Sequence, residues 1–337
     1  MSVPTVMPDS APPATPSSDG GLVGARFDRE RFRSALGPID ARPLPRLVGE
    51  QAQPYALLIP AFLFLAVFTL LPAVAVFALS GMEWNLLTGA TRWVGTDNLA
   101  RVLPSAELQL ALRNTAIYVG LTVPTAIVLG LVVGLLMEGL RFAKGLWRAV
   151  YFLPVVSTLV ASAVAWRWIF FPDTGIVDRT VGDLIGTTGW LNDLELALPA
   201  VALVGVWSMV GYNAVLFLAG LSGVPEATKE AARLDGAGRW SLFWHVTWPA
   251  LGPTTLFVTV INLTFAFQAF ETIIVMTGGG PLGRTETLLY VLWRRGIDYL
   301  DIGGGSVVSL VLLVVLIGVT LLQLRTFGRR LERGVGA

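Results

Sequence analysis

Two groups of residues in this sequence have the types and spacing to do chemistry. The first is polar and lies in otherwise apolar surroundings: Tyr212 and Asn213 in one long uncharged run, then Asn262, Phe265, Gln268 and Glu271 along another and its outer end. Planar amides and a carboxylate beside aromatic rings suit a molecule rich in hydroxyl groups. Polar side chains inside a membrane segment are costly, which makes them candidates for lining a path. Asn262, Phe265 and Ala269 fall on one helical stripe, with Gln268 a turn from Phe265 and Thr264. The competing role for Asn213, Asn262 and Gln268 is hydrogen bonding between helices, worth under about 1 kcal/mol each. Glu271, near the outer end, has simple solvation as its competing role. The second group is Glu230, Ala231, Ala232, Asp235 and Gly236, an acid among small residues in a polar stretch between two apolar runs. Small side chains there let another protein's backbone approach closely.

Several chemistries are missing from the sequence. No G-x-x-x-x-G-K-[ST] occurs to cradle ATP phosphates, and no G-x-S-x-G or H-E-x-x-H pattern occurs for hydrolysis. The stretch from Gly139 to Gly145 is basic and glycine-flanked but lacks the phosphate-binding order. There is no cysteine and one histidine, His245, so disulfides, thiolate sites and His-rich metal clusters are excluded. No catalytic residue, metal or bound cofactor is therefore assigned to this chain. A net charge of +1 gives no reason to expect a nucleic-acid partner.

The elements that must position these residues are membrane helices. Hydrophobic residues make up 54% of the chain and charged ones 14%, with a mean hydropathy of +0.68. A soluble domain carries about a quarter charged residues. The charges are bunched, leaving six uncharged runs: 54–82, 114–137, 149–166, 196–225, 246–270 and 302–324. About 20 apolar residues cross the hydrocarbon of a bilayer as a helix. Runs so uniformly apolar do not alternate as barrel strands do. Six transmembrane helices are expected, with lipid as a partner. Gly130 and Gly134 permit close packing of the second, Pro154 should kink the third, and Arg167 between Trp166 and Trp168 should reach for the interface.

Cationic residues gather on the cytoplasmic side of membrane proteins. With the N-terminus inside, 16 of the 24 Lys and Arg residues, both lysines among them, fall in inside segments. Both ends are placed in the cytoplasm. Residues 1–53 are Pro-, Ser- and Ala-rich and are expected to form a disordered tail. Within it, 26–33 reads as a solvated charged tether rather than an amphipathic surface helix. No cleavable secretory signal is expected, the first span acting as an uncleaved anchor.

The loop 223–249 is the most informative stretch. Pro225 suits a first helical turn, Glu226 complements the helix dipole, and Asp235-Gly236 is a turn signal. A helix over 225–234, a turn, and a second short helix over about 239–247 make an elbow projecting from the membrane. Trp240, Trp244 and Trp248 share one face as an interfacial anchor, and His245 is a surface residue. Glu230-Ala231-Ala232, Gly236, Val246 and Pro249 together resemble the EAA loop of permease subunits in binding-protein-dependent ABC importers, with Trp248 where leucine is usual. Leu234-Asp235-Gly236-Ala237 narrows the likeness to the carbohydrate-uptake branch. Tyr151 to Pro154, Gly211 to Asn213 and Thr277 to Pro281 agree. Phe217 to Leu221 and Tyr299 to Gly303 look most like the A-type subunits of glycerol-3-phosphate permeases, within the wider maltose permease family.

That resemblance implies an all-α type I importer permease fold: a six-span domain over 54–325 with a coupling loop at 223–249, and a cytoplasmic C-terminal tail over 326–337. It implies a second homologous permease, an ATPase dimer that carries ATP and Mg, and an extracytoplasmic solute-binding protein. Glu230, Ala231, Ala232, Asp235 and Gly236 would dock on the ATPase, and the solute would be a sugar, a polyol or a glycerol-3-phosphate-like molecule. A phosphorylated solute would want cationic partners that the spans of this chain do not offer. An ion-driven secondary transporter is the main rival; it calls for buried relays and paired broken helices, neither evident in the sequence. A membrane enzyme is disfavoured by the missing catalytic sets.

Overall fold

The computed structural model describes residues 53–85, 88–140, 144–182, 186 and 189–335. The expected N-terminal tail and its 26–33 segment lie outside the described residues. The chain divides into two units, Met1–Phe62 and Leu63–Ala337; of the first, only the start of a helix is described.

Helix α1 (Gln53–Leu65) passes through one π turn (Ala66–Leu70) into α2 (Leu71–Ser80). A short hairpin follows, β1 (Met82–Trp84) antiparallel to β2 (Thr91–Trp93), with Glu83 opposite Arg92 and ion-paired to it at 2.7 Å. After α3 (Asp97–Val102) come the two helices that organise the fold, α4 (Ala106–Gly139) and α7 (Ala197–Ser222). Between them lie α5 (Lys144–Val156) and α6 (Leu159–Ile169). Then follow α8 (Glu226–Leu234), α9 (Arg239–Ala250), α10 (Gly252–Phe267), α11 (Glu271–Met276), α12 (Leu288–Trp293) and α13 (Ile302–Val335). Among the described residues four helices are long and apolar enough to cross a membrane, and up to six segments qualify if each of two bent pairs is one span. The helical expectation holds; the hairpin is the one strand pairing among the described residues.

Close approach of α4 and α7 is made possible by glycine. A Cβ on Gly130 would run into Asn213, and one on Gly134 would press on the Ala214 carbonyl and Phe217. On the opposite side, a Cβ on Gly205 would strike Tyr118 and Thr122. Around this pair the buried side chains form connected cores: Leu131, Phe217, Leu221, Leu251 and Val258 near one end, and Tyr118, Val201, Val204 and Ile273 nearer the other. By contrast Phe64, Phe68, Val74 and Phe77 are exposed, as expected of side chains solvated by lipid.

Two runs expected to be single spans are broken. The third continues as helix through Pro154 to Val156 and breaks at Ser157, where Thr158 caps the next helix by accepting from the Ala161 N–H at 3.4 Å. The kink expected at Pro154 is thus displaced: proline removes its own N–H from the ladder, and the Ser157 hydroxyl donates to the Pro154 carbonyl at 2.9 Å. The fifth run bends by 66° between α9 and α10 and stops at Phe267. Gln268 is the C-cap residue and Glu271 opens a separate short helix, so neither belongs to the span that the sequence assigned them. Helix α13 runs on to Val335, carrying helical structure into the segment read as a C-terminal tail.

Glu107 and Glu138 mark opposite ends of α4, about 46 Å apart at 1.5 Å per residue. The loop 223–249 meets the Glu138 end through Lys229, and a charged cluster gathers at the Glu107 end.

Candidate functional site

The loop 223–249 folds as an elbow whose first arm is α8. Pro225 occupies the N-cap with extended backbone (φ −58°, ψ 127°), one position ahead of the first-turn site expected for it. Glu226 in the first turn pairs with Lys229 at 3.4 Å and with Arg233 at 3.2 Å. The helix closes in a Schellman motif: the Ala237 N–H donates to the Ala232 carbonyl at 2.9 Å and the Gly236 N–H to Arg233 at 3.1 Å. Gly236 carries φ +85°, and nothing lies within 4 Å of where its Cβ would be. Its glycine is therefore required by the left-handed turn itself, whatever docks beside it.

The faces of α8 are unequal. Lys229 is buried and bonded at 3.1 Å to Glu138, while Glu230, Ala231, Asp235 and Gly236 are exposed and Ala232 is half-buried. Leu234, an apolar side chain, is 89% exposed at the tip. In α9 the aromatic residues form a graded stack. Trp240 meets Trp244 at 5.6 Å and Trp244 meets Trp248 at 6.1 Å, with Phe243 alongside. Trp248 and Phe243 pack against the Leu251 and Phe217 core, whereas Trp240 is exposed. His245 is exposed, with Nδ1 3.0 Å from the Ser241 carbonyl oxygen.

A second feature is a cavity of about 410 Å³ bordered by α4, α5, α6, α7, α10 and α11. Tyr212, Asn213, Asn262, Phe265, Gln268 and Glu271 all line it. Both breaks in the helices open onto this space, through Ser157 and Leu159 on one side and Gln268, Ala269 and Glu271 on the other. Irregular backbone at membrane depth is tolerated where it borders such a cavity. The signal for these breaks was weak: Ser157-Thr158 is an ordinary cap pair, and nothing in residues 268–270 is a strong breaker.

The lining residues do not have the same freedom. Asn213 and Asn262 are 0% and 1% exposed and hold each other reciprocally at 3.0 and 2.7 Å. Asn213 also donates to the Ala126 carbonyl at 3.1 Å and Asn262 to that of Val258 at 2.8 Å. Their amides clasp α4, α7 and α10 together. Tyr212, Gln268 and Glu271 make no side-chain hydrogen bond or ion pair among the described residues, and Phe265 is 60% exposed. Arg167 is exposed and donates to the Val275 carbonyl at 3.2 Å, a tie to α11. Trp166 packs edge-on against Trp207 at 5.6 Å.

At the Glu107 end the cations that the sequence shows only as loop charges are paired. Arg294 bonds Glu107 at 2.6 Å and also Glu286; Arg295 bonds Glu107 and reaches Asp301 at 3.4 Å; Arg101 bonds Asp301 at 2.9 Å. Burial alone would raise the Asp301 carboxyl, but Arg101, the Gly304 N–H and Arg295 hold it below the usual range. Burial pushes Glu286 up, against the pull of Arg294. The Glu107 pairs and the Arg101–Asp301 pair join residues 187 to 200 positions apart, so no local pattern announces them.

Comparison with known proteins bears on both features. The family described as binding-protein-dependent transport system inner membrane component matches residues 112–333. The chain is similar to a probable ABC transporter permease protein, YurN, of Bacillus subtilis (30% identity over 280 residues, 81% of this chain and 95% of that one). It is equally similar to the sn-glycerol-3-phosphate transport system permease protein UgpA of Agrobacterium fabrum (30% over 286 residues, 83% and 96%). Its fold matches a chain in a bacterial alginate ABC transporter solved in complex with an alginate pentasaccharide-bound periplasmic protein. There the TM-score is 0.70 with 22% identity, over 82% of this chain and 93% of the other.

Proposed function

The chain belongs to the family of binding-protein-dependent transport system inner membrane components, and from that premise we propose that it is a permease subunit of an ATP-driven importer for a sugar, polyol or similar polyhydroxylated solute. The names of its relatives support the solute class, since one carries sn-glycerol-3-phosphate and a fold neighbour is an alginate transporter. The chain works with a second homologous permease and an ATPase dimer that binds ATP and Mg. An extracytoplasmic binding protein delivers the solute. Both ends of the chain face the cytoplasm, and residues 54–325 are the permease domain.

One observation carries this reading. The elbow presents Glu230, Ala231, Asp235 and Gly236 outward at the end of α4 and α7, about a membrane thickness from the charged cluster at Glu107. Closure of the ATPases on ATP draws on this elbow. Because α8 follows α7 after three residues and is tied to α4 through Lys229, the pull reaches the two helices that wall the cavity. The permease pair then opens toward the loaded binding protein, and hydrolysis resets the inward-facing state. Uptake in sealed vesicles tests this: it should stop when ATP is removed and survive collapse of the proton gradient. The reverse pattern would favour an ion-driven carrier.

A further inference from the structure

We infer that Glu271 makes the cavity a charge filter, accepting an uncharged or cationic polyhydroxylated solute and refusing an anionic one. The inference rests on reading the cavity as the solute passage. It goes further in assigning the passage a sign, and in setting this chain apart from the relatives whose names specify anions.

Among the residues lining the cavity, Glu271 is the one formal charge. It is half-buried and has no ion-pair partner among the described residues; the group its charge acts on there is the buried phenol of Tyr118, which is not a cation. No guanidinium is among the lining residues: Arg167 of α6 lies outside it and is turned onto the Val275 carbonyl, and Arg294 is paired with Glu107 and Glu286. The two buried amides that could have donated to a phosphate or carboxylate are committed to each other and to backbone carbonyls. What remains free is the Tyr212 hydroxyl, the Gln268 amide and the Glu271 carboxylate, beside the exposed ring of Phe265. That set can accept hydroxyl hydrogens and cover an apolar ring face, but it offers an anion no compensating cation. A like charge about 6 Å from Glu271, at an effective dielectric of about 20, lowers occupancy on the order of a hundredfold.

The test uses the transporter purified from its own membrane with its binding protein. The solute released from that binding protein is identified by mass spectrometry, and its uptake into proteoliposomes is measured for the wild type, Glu271→Asp, Glu271→Gln and Glu271→Lys. The solute should be neutral or cationic at pH 7. Glu271→Lys should slow its uptake at least tenfold, Glu271→Gln should raise KM more than it lowers kcat, and Glu271→Asp should retain most of the activity. A natural solute carrying phosphate or carboxylate would overturn the filter, as would uptake indifferent to Glu271→Lys. If instead uptake proceeds without ATP and collapses with the proton gradient, the importer reading fails, while the filter is still judged by the charge of the solute.

Discussion

The ammonium of Lys229 lies 3.1 Å from the carboxylate of Glu138, joining the exposed elbow to the far end of a 34-residue helix. The lysine side chain is 10% exposed and the glutamate 38%, which places the pair between a surface bridge and a buried one. Surface pairs are worth up to about 1 kcal/mol, and breaking a buried pair costs roughly 3–5 kcal/mol.

Lys229→Glu or Glu138→Lys alone should therefore destabilise by about 2 kcal/mol and lower the uptake obtained per ATP hydrolysed. The charge-swapped double variant should recover most of both losses. Thermal melts with parallel ATPase and uptake assays check this. Failure of the swap to rescue would show that the pair does not tie the elbow to α4.

Gly236→Ala places a Cβ on a residue at φ +85°. The expected cost is about 1–2 kcal/mol, confined to the turn, with the membrane domain still folded and coupling reduced. Glu230→Ala touches an exposed side chain and should leave the melting temperature within about a degree or two, since surface changes stay within about 0.5 kcal/mol. Its effect should appear in coupling alone.

The reciprocal amides of Asn213 and Asn262 predict a non-additive pair. Either single change to alanine strands a buried partner, at about 0.6 to 1.7 kcal/mol by the scale of membrane hydrogen bonds. Replacing both with alanine should cost less than the two singles combined. A double-mutant cycle on melting reads the coupling. If both asparagines were solute ligands rather than a clasp, the singles would cripple uptake without moving stability.

Gly130→Leu should be among the most damaging single changes, because even the first added carbon meets Asn213. Overpacking costs about 1–3 kcal/mol, and here it separates the two helices that carry the cavity wall. Reduced yield of folded protein in detergent is the readout.

Asp301 supplies a pH prediction. Its carboxyl is held below the ordinary value of 3.8 in the fold, so the stability it contributes is present above that value and is lost as pH falls through the lower folded one. The stability difference between wild type and Asp301→Asn should therefore be constant near neutrality and shrink in acid. A difference that grew in acid would reverse the assigned sign.

Much of this architecture was legible because membrane burial writes itself as long uncharged runs, and the elbow because Pro225, Asp235 and Gly236 are local punctuation. The cavity residues were legible as polar outliers. What they do was not: one sequence cannot tell that Asn213 and Asn262, 49 positions apart, satisfy each other while Tyr212, Gln268 and Glu271 stay free. The helix breaks at Ser157 and after Phe267 were missed because apolar composition continues across them. Their presence removes one argument raised against an ion-driven carrier, since broken helices do occur here, and leaves the elbow as the discriminating feature. The links of Arg294 and Arg295 to Glu107 and of Arg101 to Asp301 were hidden for the same reason as the amide pair, being made between distant segments.

The central claim is that the Glu230–Gly236 knuckle docks on a nucleotide-hydrolysing partner. The chain has no cysteine, so one introduced at Ala231 is a unique handle. The decisive experiment is crosslinking from that position in intact membranes, with a cysteine in place of Arg92, which borders one hollow with Arg101 and Asp301 at the Glu107 end, as the control. The expected result is an adduct between position 231 and the ATPase subunit, reached only from the cytoplasmic side and changing in yield with ATP, and none from position 92. Labelling of position 231 by an impermeant reagent added outside, or an ATPase adduct from position 92 instead, would contradict it.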